Sequence, residues 1–523
     1  MWIGELKTKL ENFVDIRRFM VEMMRSHGAA KRDITETLLI FEALYNDMLE
    51  AGIGADTEVL VTGNKSFGDI TISVGFEGEM YIPMTGRSEN AEERVMGAFA
   101  DKIEYMYHGG FNNLSITVTR HISKTLILSG IALGIALLVY SELVNAMSAE
   151  SQNTLFEQLV FPLERLFANA VMMVGAPVTF FSLVRNLTDA YIVAAKGSGV
   201  RRLQLGTITT SVISVVMALV VGLLVGNLVA DSGVIWESNV AKANSTPEGI
   251  IESLVPSSIF APFETMSPIP LIIVALLVTY GFCHAGRYFE GMKKVTDACY
   301  TLFSKMLSVV MYAIPFFFFM AIMDVLFDGG PIWVAGIVLL ALIVIASLVF
   351  VALFYVIRMK SRGVAVMPFV RKLWPLVREN FAINSAIDAV PFNSRYCMTV
   401  FGMDRKKLEE YLPLLAQLNL DGNCFVIMMI TMVFITVMGI PVTWFDILVI
   451  MILVVFLSMG APNQPGSIVI GMLIIINYLR AYDMVAVAIY TEIFFGSIVN
   501  IVNVVGDIVT LAIEDDNMKK LMS

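Results

Sequence analysis

Asp421 and Asp507 stand inside long apolar runs, and each is a carboxylate in need of a partner. An ionised side chain at the bilayer centre costs roughly 2.5–3.5 kcal/mol even on insertion scales, so a bound cation or polar neighbour has to compensate it. Asn419 lies two residues before Asp421 in NLDGN, and Asn503 lies four residues before Asp507 in VNVVGD. Their amides, and backbone oxygens exposed where a helix unwinds, are hard ligands suited to a monovalent cation. Ser458 adds a hydroxyl at the head of the run SMGAPNQPG. Neither helix offers an obvious Lys or Arg as counter-charge. The competing reading is structural: an aspartate that is protonated or bonded to a helix cap needs no ion.

Small and helix-breaking residues form a second group. Asn384, Ser385 and Ala386 open the run NSAIDAVPFNSR, and Gly460, Ala461 and Pro462 follow Ser458 closely. Such tips expose backbone groups that can line a cavity and clamp a solute. Asn423, Asn500 and Asn503 bring amide donors and acceptors to the same cavity, completing the candidate solute site. No catalytic residues are assigned, and the chain lacks the Gly-x-x-x-x-Gly-Lys-Ser phosphate loop of an ATP-driven pump. Cys283, Cys299, Cys397 and Cys424 lack metal-ligand spacing and read as apolar filling.

The elements that must position these residues are apolar helices. Hydrophobic residues make up 57% of the chain and charged residues 16%, and the mean hydropathy is +0.74. These values imply a bilayer as solvent. The apolar runs are continuous instead of alternating, which favours helices over a transmembrane barrel. The net charge of −10 identifies no partner, and no nucleic acid is expected. Residues 1–122 are charged and mixed, with no cleavable signal peptide apparent. They read as a cytoplasmic α/β domain with a helix at 34–51 and strands at 58–62, 69–76 and 114–119. Residues 123–523 form the membrane domain, with spans at 125–143, 161–187, 205–230, a broken 250–284, 301–327, 333–357, 412–438 and 485–513.

Cytoplasmic loops carry an excess of Lys and Arg. Arg185, Lys196, Arg201 and Arg202 mark one inside loop, Arg287, Lys293 and Lys294 a second, and Arg358, Lys360 and Arg362 a third. The alternate loops at 141–152, 231–248 and 328–331 contain only Lys242. Lys372 and Arg378, and then Arg405, Lys406 and Lys407, fall on the inside at both ends of a polar segment, about 369–400. That segment enters and leaves on one face, and by the same count 447–479 dips in from the outside. The expected fold is an α-helical polytopic membrane protein with eight transmembrane helices, two oppositely oriented re-entrant hairpins and a small N-terminal α/β domain. In a cell membrane, the N-terminal domain and the C-terminus would both be cytoplasmic.

These motifs resemble the dicarboxylate/amino acid:cation symporter family, which includes the glutamate and neutral amino acid transporters. NLDGN stands where that family has Asn-Met-Asp-Gly-Thr, VNVVGD is close to Val-Asn-Val-Thr-Gly-Asp, and SMGAPNQPG resembles Ser-Ile-Gly-Thr-Ala-Gly-Val-Pro-Gly. NSAIDAVPFNSR replaces a serine-rich Ser-Ser-Gly-Thr-Leu-Pro that precedes a nearby Arg. The resemblance implies a cation-coupled secondary transporter of a small organic solute, with sodium as first choice of ion, a proton as second, and no required cofactor. It also implies a homotrimer in the lipid bilayer, whose hairpin-bearing transport domains move against a fixed scaffold. In an ungapped comparison, the third helix around 211–217 lacks the tyrosine and Thr-Ser pair used by sodium-coupled relatives. In acidic-substrate members an Arg of the eighth helix holds the side-chain carboxylate, and an Asp one turn earlier holds the amino group. Val499 and Gly496 occupy those positions here. A second carboxylate would be desolvated without a bidentate partner, so the expected solute is a neutral amino acid or a monocarboxylate. Glu492 and Asn500 remain to meet an amine.

The N-terminal domain carries another resemblance. EALYND at 42–47 looks like the N-box of histidine-kinase-type ATPases, in which Glu acts on water and Asn helps hold magnesium. Glu42 and Asn46 are i and i+4, hence on one helical face. No Asp-x-Gly-x-Gly box follows, and the glycines around Gly63, Gly68 and Gly109 do not supply one. A degenerate regulatory or structural domain is expected, without ATP turnover. The alternative for the whole chain is a transporter-shaped membrane sensor that signals through this domain.

Overall fold

The computed structural model describes residues 2–514 apart from 30, 67–68, 80, 82–102, 109, 119–123, 196–197, 232–248, 250, 253, 330, 384, 388, 463–464 and 482–484. The chain divides into two units, Met1–Lys124 and Thr125–Ser523, each with its own hydrophobic core.

In the first unit, strands β1 (Trp2–Lys9), β2 (Glu58–Ser66), β3 (Asp69–Glu77), β4 (Ile103–His108) and β5 (Phe111–Thr117) form one antiparallel sheet in the order β1-β2-β3-β5-β4. Two helices accompany it, α1 (Phe13–Ser26) and α2 (Lys31–Glu50). Ile16, Met20 and Met24 of α1, with Phe41, Leu44 and Met48 of α2, recur at helical spacing and bury with Val61, Ile72, Val74, Leu114 and Ile116 of the sheet. The strands outside the sequence expectation, β1 and β4, are the two edges of the sheet. Edges are protected by charge, and Lys7 and Lys9 on β1 mask its strand character.

The second unit is helical. Its first half contains α3 (Lys124–Val139), α4 (Phe161–Ala194), α5 (Ser198–Asp231), α6 (Pro268–Cys283), α7 (Phe289–Tyr312), α8 (Ile314–Gly329), α9 (Pro331–Ser347) and α10 (Val349–Ser361). By length and composition, six helical segments among the described residues could cross a membrane, or seven if one pair bent by 110° counts as a single span. That bent pair is α6 with the segment Gly286–Tyr312. The expected spans 333–357 and 412–438 are divided at Leu348 and at Asn419–Leu420, and two others also differ from what is observed. Within the expected broken span at 250–284, the long helix begins at Pro268, and a short helix at Ala261–Glu264 precedes it. The stretch 301–327 is divided at Ala313, because Pro315 has no N–H to give the preceding turn and instead occupies the first turn of α8.

The second half contains two pairs of short helices. The first is α11 (Val366–Ile383) and α12 (Val390–Val400), with Pro391 in the opening turn of α12. Asn380 and Asn393 exchange reciprocal amide hydrogen bonds of 2.7 and 3.1 Å across this pair. After α13 (Arg405–Leu418) and α14 (Asp421–Val437) comes the second pair, α15 (Trp444–Met459) and α16 (Ser467–Leu479). The helices of these pairs have 18, 11, 16 and 13 residues. A perpendicular crossing of a ~30 Å hydrocarbon core takes about 20. The last helix, α17, runs from Val485 to Glu514.

Helix α14 is buried almost throughout and lies directly against α5. Two glycines allow this approach. A Cβ at Gly222 would stand 2.9 Å from the Met429 carbonyl oxygen and 2.9 Å from Met432 Cβ, and one at Gly226 would stand 2.8 Å from Thr436 Cβ. Gly222 and Gly226 are spaced as GxxxG, a pattern that lets membrane helices pack backbone to backbone.

Candidate cation and solute site

Helix α13 stops at Leu418 and α14 starts at Asp421, so the chain unwinds at Asn419 and Leu420. This puts the Asp421 carboxylate in the first turn of α14, where the positive end of the helix dipole favours an anion. Ser211 of α5 donates to Asp421 Oδ1 at 2.9 Å, and Tyr355 of α10 donates to Oδ2 at 3.0 Å. Ser214 donates to the Asp421 carbonyl oxygen at 2.8 Å. Asn419 Oδ1 lies 3.2 Å from the Thr210 hydroxyl, while its Nδ2 donates to Asp507 Oδ1 at 3.0 Å. The Asn419 amide therefore links Asp507 to Thr210, the neighbour of the Ser211 that holds Asp421. Both aspartates are buried.

The expected unwinding occurs in one of the two helices. Helix α17 is uninterrupted through Asn503 and Asp507, which share a face as i and i+4. Asn503 Oδ1 accepts from the Gly422 amide at 2.8 Å, and its Nδ2 donates to Asn423 Oδ1 at 2.8 Å. Asn423 Nδ2 in turn lies 3.4 Å from Ser467 Oγ. This amide chain leads from the carboxylate cluster to a small cavity of about 30 Å³. Ser385, Ala386, Asn423, Asn500 and Asn503, all named in the sequence reading, line it together with Pro465, Ser467, Glu492, Gly496 and Val499. Asn500 also holds the first pair of short helices, donating to the Asn380 carbonyl oxygen at 3.1 Å.

Other expected site residues lie elsewhere. Gly460, Ala461 and Pro462 are not among the cavity-lining residues. Gly460 faces Thr179 and Leu183 of α4, and the Ala461 carbonyl accepts from Ser182 at 3.3 Å. The cavity is given instead to the far end of the same connection, Pro465 and Ser467. Ser458 is buried beside the Cys424 thiol and makes no hydrogen bond to either aspartate. Asn384 lies outside the described residues. Three residues absent from the sequence-derived set join the cluster: Thr210, Ser211 and Tyr355. The expectation that α5 lacks a Thr-Ser pair is corrected by Thr210 and Ser211, which lie one residue ahead of the window compared or at its edge. A tyrosine does reach Asp421, from α10. The guanidinium of Arg358, one turn beyond Tyr355, donates to Thr510 at 2.9 Å and acts on the Asp421 charge.

In the first unit, Glu42 pairs with Arg17 at 3.8 Å on the surface, and Asn46 is exposed. Asp47 is buried and accepts from the Tyr81 phenol. Burial first, and then this bond to Asp47, raises the phenol above its ordinary value. Gly63 is a paired position within β2, opposite Ile72, while Gly68 and Gly109 lie outside the described residues. Because the Glu42 pair is exposed and contributes about 0–1 kcal/mol, Glu42→Ala is expected to leave solute uptake unchanged. Loss of uptake together with loss of a measurable ATP turnover would overturn that expectation.

Among the described residues, no group of three His, Cys, Asp or Glu side chains could hold a metal ion. The carboxylate cluster instead offers two aspartates surrounded by hydroxyl and amide oxygens, a donor set of the kind hard cations accept. No curated protein matches the chain. The model of the sodium:dicarboxylate symporter family matches residues 124–516, about three quarters of the sequence, and the chain accordingly belongs to that family of membrane transporters.

Proposed function

We propose that this symporter couples sodium entry to uptake of a small neutral amino acid or monocarboxylate, with a proton as the alternative coupling ion. Thr210, Ser211, Tyr355, Asn419, Asp421 and Asp507 are the cation side of the site; Ser385, Ala386, Asn423, Ser467, Asn500 and Asn503 are the solute side. The observation that carries this reading is the hydrogen-bonded series Gly422–Asn503–Asn423–Ser467, which ties the cluster to the cavity. An ion that reorients Asn419 or Asn503 changes the amides offered to the solute, and the solute reciprocally changes the ion's affinity. The hydroxyls now donating to Asp421 can turn their oxygens toward a cation, because a hydroxyl both donates and accepts.

In the same reading, the two short helix pairs are re-entrant hairpins flanking a midplane site, within an architecture of eight spans. Three copies assemble, and each moves its hairpin-bearing part across the bilayer against a static remainder. The N-terminal unit and the C-terminus face the cytoplasm, and the N-terminal unit regulates without hydrolysing ATP.

Reconstitution into vesicles tests the proposal. A sodium gradient is expected to drive accumulation of serine or a short monocarboxylate, and a pH gradient alone to drive less. Aspartate and succinate are expected to compete poorly, since among the described residues that line the cavity there is no Lys or Arg. Saturable binding without flux under either gradient would replace the carrier by a sensor.

A further inference from the structure

Glu492 is a buried carboxylate in the cavity wall with both oxygens committed to backbone amides. Its Oε1 accepts from Gly466 N at 2.8 Å, and its Oε2 accepts from Ile468 N and Val469 N at 3.2 Å each. These donors are the free amides that open the 13-residue helix α16. The beginning of a helix offers unpaired N–H groups and a positive dipole, which together make an anion site. Here the anion belongs to the chain itself. No Lys or Arg among the described residues pairs with Glu492, so these amides and the helix dipole are its compensation.

The surrounding residues fit this arrangement. A Cβ at Gly496 would stand 3.2 Å from Glu492 Oε1, so the lack of a side chain there leaves room for the carboxylate. Gly466, at φ +104°, takes the left-handed conformation that turns its N–H to Oε1. Pro465 and Ser467, on either side of it, reach the cavity. Glu492, the one carboxylate among the described residues that line the cavity, thus sits on the amides that a carboxylate of a solute would otherwise use.

We propose that Glu492 is an internal anion that fills the helix-terminal subsite of the cavity and sets its selectivity. A solute in this cavity carries no carboxylate at the α16 end and presents an ammonium or hydroxyl donor to Glu492 there. This deepens, and rests on, the reading of the cavity as the solute site. It differs from the argument based on Val499: a missing Arg removes an attraction, whereas Glu492 both occupies the donors and repels a second anion.

The test measures succinate binding to the full-length chain in detergent, with no gradient, for the wild type, Glu492→Gln and Glu492→Ala. The wild type is expected to show no succinate-dependent rise in melting temperature. Both variants vacate or neutralise the subsite and are expected to bind succinate at least tenfold more tightly. A wild type that already binds succinate as tightly as the variants overturns both this proposal and the solute class. Folded variants that gain nothing overturn this proposal alone. Vesicles that take up no solute, from a chain whose variants do gain succinate, remove the transport reading and leave the selectivity role. If neither variant folds, the wild type still tests the proposal: a rise in its melting temperature with succinate overturns it.

Discussion

Asp421→Asn and Asp507→Asn are each expected to lower sodium-dependent solute binding by roughly tenfold to a hundredfold while the chain remains folded. A hydrogen bond or contact involving a charged group is worth about 1.5–3 kcal/mol, and each 1.4 kcal/mol is tenfold in affinity. Asparagine preserves the side-chain volume and one acceptor, so Ser211 or Tyr355 at residue 421, and Asn419 at residue 507, retain something to bond. The charge that attracts the ion is gone. The loss should be larger at Asp421, whose two oxygens and backbone carbonyl all hold hydroxyls, than at Asp507, which accepts from the Asn419 amide. A sodium titration of solute binding at fixed pH, followed by a pH titration without sodium, separates the two ions. Unchanged responses in both variants would remove the aspartates from the coupling site.

Those two aspartates were legible because a charged residue in an apolar run stands out from the residues around it. Their hydroxyl neighbours were hidden by a common local habit. Thr and Ser in membrane helices ordinarily bond a carbonyl one turn back, as Thr209 does to Leu205 and Thr431 does to Ile427, so a hydroxyl in such a run signals nothing by itself. Thr210 and Ser211 became visible only when α5 and α14 were brought together. Arg358 was prominent for a different reason, as one of the basic residues marking an inside loop, yet its guanidinium reaches back to Thr510. The connection between α15 and α16 illustrates a third limit. Helix-breaking residues stand at both of its ends, Gly460 and Pro462 at one and Pro465 and Gly466 at the other, and which end of the seven-residue connection faces the cavity depends on what α4 contributes opposite it. In the N-terminal unit, helical periodicity gave α2, and alternation gave the inner strands β2, β3 and β5. The edge strands needed their partners.

Gly222→Leu is expected to disable the molecule from outside the site. Its new side chain would start 2.9 Å from a backbone carbonyl and 2.9 Å from Met432 Cβ, neither of which is the far end of a flexible group. Helices α5 and α14 would have to separate, and overpacking of this kind typically costs about 1–3 kcal/mol. The same interface carries Thr210 to Asn419, Ser211 to Asp421 and Ser214 to the Asp421 carbonyl, so separation weakens these contacts together. A lowered melting temperature and a blunted rise of that temperature with sodium should therefore appear in one variant. Gly130→Leu, on α3, provides the comparison, since nothing lies within 4 Å of a Cβ built there. That substitution should leave both quantities near the wild-type values. If Gly222→Leu melts with the wild type and keeps its sodium response, the close packing of α5 on α14 does not hold the cation cluster together.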